Sequence, residues 1–266
     1  MTKRMQDSYL WRGLTVQARC IHALMIRDLM MRYGRDNIGF LWVILEPMIL
    51  TVGVMTIWSV LKPPFEHGVP LILLVFTGYM ILTMWRHLLN AGVSLFERNA
   101  GLLYHRHISL IDTFISRMLL EFAGTTTALV LVGTVLVDTG LIDPPHDLGI
   151  IICAWLTMAL LSSSLALNFA VLTEYSMAAE KFIAPFQYFM LPLSGTFFMV
   201  EWLPTFAQTI IWYNPTVHCY EMFRAGFFGE EVRTHYSIWY PLVCSLGLMC
   251  LGIWGMDKVR NNIHFG

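Results

Sequence analysis

The chain has 266 residues, of which 56% are hydrophobic and 13% are charged, and its formal net charge is −1. This excess of apolar residues excludes an ordinary soluble domain and indicates a chain embedded in lipid. A net charge near zero gives no indication of nucleic-acid binding, so the position of the charges is more informative than their sum.

The N-terminal region is basic and precedes the first long apolar run. This layout predicts a cytoplasmic N-terminus, because Lys and Arg are enriched on that side of a membrane. It also argues against a secretory signal, since the basic region is long and no small-residue cleavage site closes the apolar run. The seven basic residues are Lys3, Arg4, Arg12, Arg19, Arg27, Arg32 and Arg35.

Residues 14–33 follow a helical pattern. At 100° per residue, an apolar face from Leu14 to Leu29 lies roughly opposite Arg12, Arg19 and Arg27. We expect an amphipathic helix in the plane of the membrane interface, with its arginines toward anionic lipid. The alternative is an ordinary cytoplasmic helix that packs on the bundle.

Three arginines would meet the inner leaflet at the end of this helix. Arg27, Arg32 and Arg35 carry guanidinium groups, whose planar N–H donors suit phosphate. We therefore predict that they contact lipid phosphate at the inner leaflet. The alternative is that they only fix the topology.

Six apolar runs are candidates for membrane spans. An even number puts both termini in the cytoplasm. The distribution of basic residues agrees, because 13 of the 17 fall on the predicted cytoplasmic side and three fall outside. The predicted spans are residues 38–61, 69–85, 108–137, 148–173, 182–200 and 237–256.

Two segments between the spans are unusual. Residues 94–106 of the largest inner loop mix apolar and charged residues, which suits a short helix docked on a cytoplasmic partner; the alternative is a solvated loop. Residues 201–230 are too apolar for an ordinary outer loop but are broken by Pro204 and Asn214-Pro215. We expect two short re-entrant helices there, because irregular backbone at membrane depth must be buried in protein or line water.

The sequence lacks an energy source of its own. None of its four lysines is followed by Ser or Thr, so it has no P-loop. Arg117 and Glu121 form an i, i+4 pair, which argues against Glu121 as a proton carrier. His218 and Glu221 have a spacing that suits a metal, but structural hydrogen bonds are the favoured interpretation.

Three motifs carry a resemblance to a known family. They are the run from Arg32 to Pro47, the Leu-Pro-Leu-Ser-Gly run at 191–195 and the Asn-Pro-Thr run at 214–216. With these motifs, the chain resembles the transmembrane subunit of ABC-2-type polysaccharide exporters, most closely the inner-membrane permeases for capsular polysaccharide in Gram-negative bacteria.

The resemblance implies an all-α integral membrane fold and a homodimer of six-span protomers in the bacterial inner membrane. It implies that residues 94–106 form a coupling helix for a P-loop ATPase, with Phe96, Glu97, Arg98 and Arg106 as candidate contacts. Two ATPase copies would bind ATP and magnesium, so this chain would need no cofactor. It also implies a periplasmic adaptor of the polysaccharide co-polymerase type, an outer-membrane export channel and an acidic polysaccharide cargo with a lipid anchor.

Two further sets of residues follow from this interpretation. Aromatic rings that stack on sugars would line the conduit, although the interfacial aromatic belt explains the same enrichment. The re-entrant helices would form the outer gate. The predicted conduit residues are Trp42, Tyr79, Trp85 and Tyr188, and the predicted gate residues are Trp202, Pro204, Tyr213, Asn214, Pro215, Glu221 and Arg224.

Other functions remain open at this point. The cargo could instead be another lipid-linked glycan, such as O antigen or a teichoic acid. An ion-coupled carrier is disfavoured, because Glu121 has Arg117 as its partner and Glu46, just before Pro47, could reach the interface or cap a kink. A membrane glycosyltransferase is disfavoured, because the sequence has no Asp-x-Asp motif.

Overall fold

A computed structural model describes residues 2–33, 39–99, 101 and 109–262. This part of the chain is mostly helical, which confirms the all-α class. A two-stranded hairpin pairs Phe65–Glu66 with Val69–Pro70. The helices are α1 (Thr2–Tyr33), α2 (Gly39–Leu61), α3 (Leu71–Gly92), α4 (Leu95–Arg98), α5 (Leu110–Asp138), α6 (Leu148–Tyr175), α7 (Met177–Met190), α8 (Thr205–Ile211), α9 (Pro215–Phe228) and α10 (Trp239–Asn262).

Five helices of the described chain are long and apolar enough to cross a bilayer. They correspond to five of the six predicted spans. The second of them extends seven residues beyond the predicted end at residue 85, so that Arg86 lies inside a helix rather than in a loop. The five spans are Leu41–Leu61, Leu71–Gly92, Leu110–Asp138, Leu148–Tyr175 and Trp239–Val259.

The predicted span at 182–200 is not one continuous helix. Its helix, α7, ends at Met190 and is followed by two 3₁₀ turns, Leu191–Leu193 and Val200–Trp202. Pro192 has no backbone N–H with which to continue the helical hydrogen bonds, and Gly195 adopts φ +93°, which lies outside the helical region. The sixth crossing therefore stays a prediction that depends on this broken segment, residues 191–204.

Helix α1 is longer than predicted, because it begins at Thr2 and not at residue 14. It packs along α5, where Gln17 Nε2 donates to Asp112 Oδ1 at 2.8 Å and Asp28 is buried. Leu14, on the predicted apolar face, is 59% exposed. The face that packs is therefore rotated from the one that the apolar pattern predicted, and exposed apolar residues are left on its other side.

Helices α3 and α6 form the centre of the bundle. Helix α6 packs against α3, α9 and α10, while α3 also contacts α2 and α5 and is the most buried span. Glycines allow close helix approach, as is common in membranes. Gly92 of α3 lies on the backbone of Ala166, and Gly78 lies against the carbonyl oxygen of Thr196 in the broken segment.

Gly78→Ala tests this approach. A Cβ at position 78 would overlap the Thr196 carbonyl oxygen, so overpacking should lower the free energy of unfolding by about 1–3 kcal/mol. Thermal unfolding in detergent measures the change. Gly247→Ala is the control, because a Cβ there meets no atom within 4 Å. Equal stability of the two variants would contradict the close approach.

Candidate functional site

A buried arginine donates hydrogen bonds to backbone carbonyls of the broken segment between α7 and α8. Arg224 of α9 has no exposed surface and donates from Nη1 to the carbonyl oxygen of Phe198 and from Nη2 to that of Thr196, the latter at 2.9 Å. These carbonyls lie outside regular helix and need donors, because lipid supplies none. Arg224 is thus a clamp on the backbone of the segment.

A buried glutamate provides the complementary acceptor. Glu221, one turn before Arg224, accepts from the backbone N–H of Val200 at 3.2 Å and from that of His235 at 3.0 Å. Burial raises the pKa of Glu221, and the positive charge of Arg224 opposes that rise. The two side chains therefore tie two stretches of irregular backbone, the broken segment and the region of His235, to one short helix.

The Asn214-Pro215 motif begins this short helix. The side-chain oxygen of Asn214 accepts from the N–H of Thr216 at 3.1 Å, which is an N-cap, and Pro215 occupies the first helical position, where its missing N–H costs nothing. Asn214 Nδ2 also donates to the carbonyl oxygen of Leu193 at 2.8 Å. One residue thus both starts α9 and fastens it to the broken segment.

His218 has a structural role in the same helix. Its Nδ1 accepts from the N–H of Ser237 at 3.1 Å, which assigns the proton to Nε2, and Nε2 then donates to the carbonyl oxygen of Trp212 at 2.9 Å. Burial lowers its pKa. Because both nitrogens are engaged, His218 and Glu221 do not form the metal pair that their spacing allowed, as the sequence interpretation favoured.

The predicted gate residues fall into two groups. Glu221 and Arg224 are buried and hold backbone. Tyr213 is 73% exposed, Pro204 is exposed, and Trp202 is half-buried with its ring 4.7 Å from that of His67. Of these five residues, only the second group has exposed surface.

A second polar cluster lies between the C-terminal half of α3 and the N-terminal half of α5. Glu121 of α5 is buried and has Arg117 Nη2 at 3.2 Å from Oε1 and His87 Nδ1 at 3.1 Å from Oε2. The second ring nitrogen of His87 lies 4.0 Å from Glu46 of α2. The sequence predicted the Arg117–Glu121 pair. It missed His87, because His87 lies on α3 and its contact with Glu121 on α5 cannot be read from residue spacing.

Glu121→Gln tests whether this cluster holds α3 and α5 together. The substitution keeps the shape but removes the charge that faces Arg117, and breaking a buried pair in this way costs about 3–5 kcal/mol. Thermal unfolding should therefore show a large loss. Glu46→Gln is the matched control and should have a small effect, because the Glu46 side chain is 47% exposed. A neutral Glu121→Gln would contradict the role.

Contacts of Arg27 join α1 to the end of α4. Arg27 pairs with Asp28 and donates from Nη2 to Asn99 Oδ1 at 2.7 Å. Arg98 is exposed and donates to the carbonyl oxygen of Ser94 at 3.2 Å. Phe96 is 1% exposed, so it anchors α4 in the bundle instead of facing a partner. The predicted contacts Arg35 and Arg106 lie outside the described residues, as do the side chains of Arg32 and Glu97.

The predicted conduit aromatics separate by exposure. Trp85 is 3% exposed in the core, because α3 continues past it to Gly92, so its assignment to a conduit at the surface of the protomer is wrong. Tyr79 is half-buried against Trp58 and Phe197. Trp42 is 47% exposed and Tyr188 is 63% exposed. Of the four, only these last two rings are exposed, and the guanidinium of Arg86 lies 5.7 Å from the ring centroid of Tyr188.

The chain matches the family model for ABC-2 type transporters over residues 19–228. This chain belongs to the ABC-2 type transporter family. It is 36% identical over 262 residues to the capsule polysaccharide export inner-membrane protein CtrC of Neisseria meningitidis serogroup B, covering 98% of this chain and 99% of that protein.

Two other relatives of this ABC-2 chain are named for similar roles. The capsule polysaccharide export inner-membrane protein BexB of Haemophilus influenzae is 37% identical, with 91% of each chain covered. The polysialic acid transport protein KpsM of Escherichia coli is 24% identical, with 87% of this chain and 91% of that protein covered. These relatives are named as export or transport proteins, and the ABC-2 family together with the five candidate spans makes this chain a multi-pass membrane protein of a transporter family.

The assignment of His218 predicts a pH dependence. A histidine whose pKa is held below 6.5 stabilises the fold fully above pH 6.5, and this contribution is lost as the pH falls through the folded-state pKa. The loss is at most about 1.4 kcal/mol for each pH unit. His218→Asn should flatten the fall in Tm between pH 7.5 and 5.5.

His22→Asn, at an exposed position of α1, controls for the loss of one imidazole. A pH profile of His218→Asn as steep as that of the unsubstituted protein would refute the assignment.

Proposed function

We propose that this chain is the transmembrane subunit of an ATP-driven exporter that moves lipid-linked acidic capsular polysaccharide across the bacterial inner membrane. The observation that carries the proposal is the similarity to a capsule polysaccharide export protein over 98% of this chain and 99% of the relative. Similarity of this extent covers every element of the fold rather than one shared motif.

The working unit would be a homodimer with two copies of a P-loop ATPase and both termini in the cytoplasm. Helices α2 and α10 are the least buried spans and leave apolar faces that a second copy or lipid would cover. A periplasmic adaptor of the polysaccharide co-polymerase type and an outer-membrane channel would carry the glycan onward. ATP and magnesium would bind to the ATPase copies alone.

The ATPase would act on α4. This helix lies at the cytoplasmic end of α3, and the buried Phe96 fixes it to the bundle so that a push on the helix reaches the spans. Glu97, Arg98 and Arg106 would supply the contacts to the ATPase. Arg98 is exposed, as a contact residue requires.

The glycan would pass along exposed aromatic rings. Trp42 and Tyr188 present faces on which sugar rings stack, and stacking holds a chain without the strong hydrogen bonds that would stall it. The other conduit candidate, Tyr79, lies partly behind Trp58. At the outer end, the exposed Tyr213 and Pro204 would bound the gate, while Arg224 and Glu221 would hold its backbone.

At the inner leaflet, Arg27, Arg32 and Arg35 would attract the phosphate of the lipid anchor. Each basic residue near an anionic surface contributes about 1 kcal/mol. The exposed apolar residues of α1, such as Leu14 and Met30, would rest in the acyl boundary.

Reconstitution tests the function. The chain and a P-loop ATPase that co-purifies with it are placed in liposomes with capsular glycolipid, and ATP-dependent transfer of glycan is measured together with ATP turnover. Glu97→Ala with Arg98→Ala should reduce transfer at least about tenfold while ATP hydrolysis continues, since the two steps are then uncoupled.

The matched control is Glu230→Ala with Arg233→Ala, an acid and a base exposed on the predicted outer side. Transfer driven by an ion gradient without the ATPase would overturn the function. Normal transfer by the Glu97 and Arg98 variant would overturn only the assignment of α4.

A further inference from the structure

A cavity of about 310 Å³ lies where α1, α4 and α5 meet on the cytoplasmic side. Three arginines line it, one from each helix: Arg27, Arg98 and Arg117. Neither the basic N-terminal pattern nor the coupling helix predicted this convergence, because the three residues are far apart in sequence. Arg117 was expected only as the partner of Glu121.

Fixed contacts orient two of these guanidinium groups at the cavity wall. Arg27 is held by Asp28 and by Asn99 at 2.7 Å, and Arg117 is held by Glu121 at 3.2 Å. Their side chains are only 25% and 15% exposed, so the charges are partly withdrawn from water. Asp28 accepts from Nε and Nη2 of Arg27, and an arginine that is held in this way loses little entropy when its remaining Nη1 donors bind an anion.

The charge of the cavity favours an anion. Three arginines face two carboxylates here, Asp28 in the lining and Glu121 behind Arg117, which leaves these residues with a net charge of +1. Phosphate oxygens accept the parallel N–H donors of guanidinium, and such charge-assisted hydrogen bonds are about twice as strong as neutral ones. The volume is at the lower end of the range for small-molecule sites, which suits a headgroup.

An apolar rim distinguishes a lipid from a free anion. Met31 lines the cavity and is 76% exposed, and its neighbours on α1, Met30 and Ile26, are 68% and 41% exposed. A basic pocket beside an exposed apolar strip matches a molecule with an anionic head and an apolar tail. In a chain with five candidate spans, that molecule is a membrane lipid.

We propose that this cavity binds the phosphate headgroup of an anionic phospholipid of the inner leaflet, one lipid for each copy of the chain. The inference rests on the proposed function only in that the glycan's anchor would be a lipid of this class. It adds Arg98 and Arg117 to Arg27 as ligands and makes the site a defined pocket instead of a general surface attraction.

Native mass spectrometry of the full chain from phosphatidylcholine nanodiscs that contain phosphatidylglycerol tests the site. We expect retention of one phosphatidylglycerol per chain, saturating as its content rises. Arg27→Gln with Arg98→Gln should weaken retention about 30-fold, the sum of two charges. The control, Arg12→Gln with Arg19→Gln, removes two exposed charges from α1 outside the cavity and should leave the saturable lipid bound.

A second variant guards against misfolding. Met31→Glu changes an exposed rim residue and should repel the lipid without disturbing the core. Equal losses in the two arginine pairs, equal retention of phosphatidylcholine, or no effect of Met31→Glu would overturn the proposal. Displacement of the lipid by an equal concentration of inorganic phosphate would overturn the lipid assignment, because the rim would then contribute nothing.

This readout is separate from export. If the chain retains phosphatidylglycerol but moves no glycan in the reconstituted system, the proposed function fails and the lipid site stands. If it exports glycan but retains no lipid, the lipid site fails and the proposed function stands.

Discussion

Irregular backbone inside an apolar bundle must find its hydrogen-bond partners within the protein, and the broken segment 191–204 is where this constraint acts. Arg224 and Glu221 meet it from α9: one donates to two carbonyls and the other accepts from two N–H groups. Without them, a helix interrupted at Pro192 would leave several buried polar groups unpaired, each at a cost of about 1–3 kcal/mol. The broken segment therefore depends on two charged side chains that are buried in the protein.

The other end of the bundle contains a comparable centre. Glu121 contacts both Arg117 and His87, so that polar contacts join α3 to α5. Helix α3 belongs to both centres, because Gly78 meets the broken segment in its N-terminal half and His87 meets Glu121 near its C-terminal end. The proposed push on α4 would therefore reach a helix that is already fastened at both ends.

The sequence was sufficient for the elements whose physics is local. Hydropathy located five spans, and the Asn214-Pro215 motif marked a true helix start. Contacts between distant residues were not readable. The face of α1 that packs includes Gln17, which donates a hydrogen bond to Asp112. A polar contact of this kind cannot be read from the spacing of apolar residues. Trp85 was expected at an interface because the length of α3 was underestimated. The cavity arginines, too, come together only in the fold.

Hydrogen exchange of the broken segment, followed by mass spectrometry on the full chain in nanodiscs, tests the central claim most directly. The account predicts slow exchange of residues 194–203, including the backbone N–H of Val200, which donates to Glu221. In Arg224→Met, the same peptide should exchange fast while α6 stays protected. Fast exchange of this peptide in the unsubstituted protein, or unchanged protection in the variant, would contradict it.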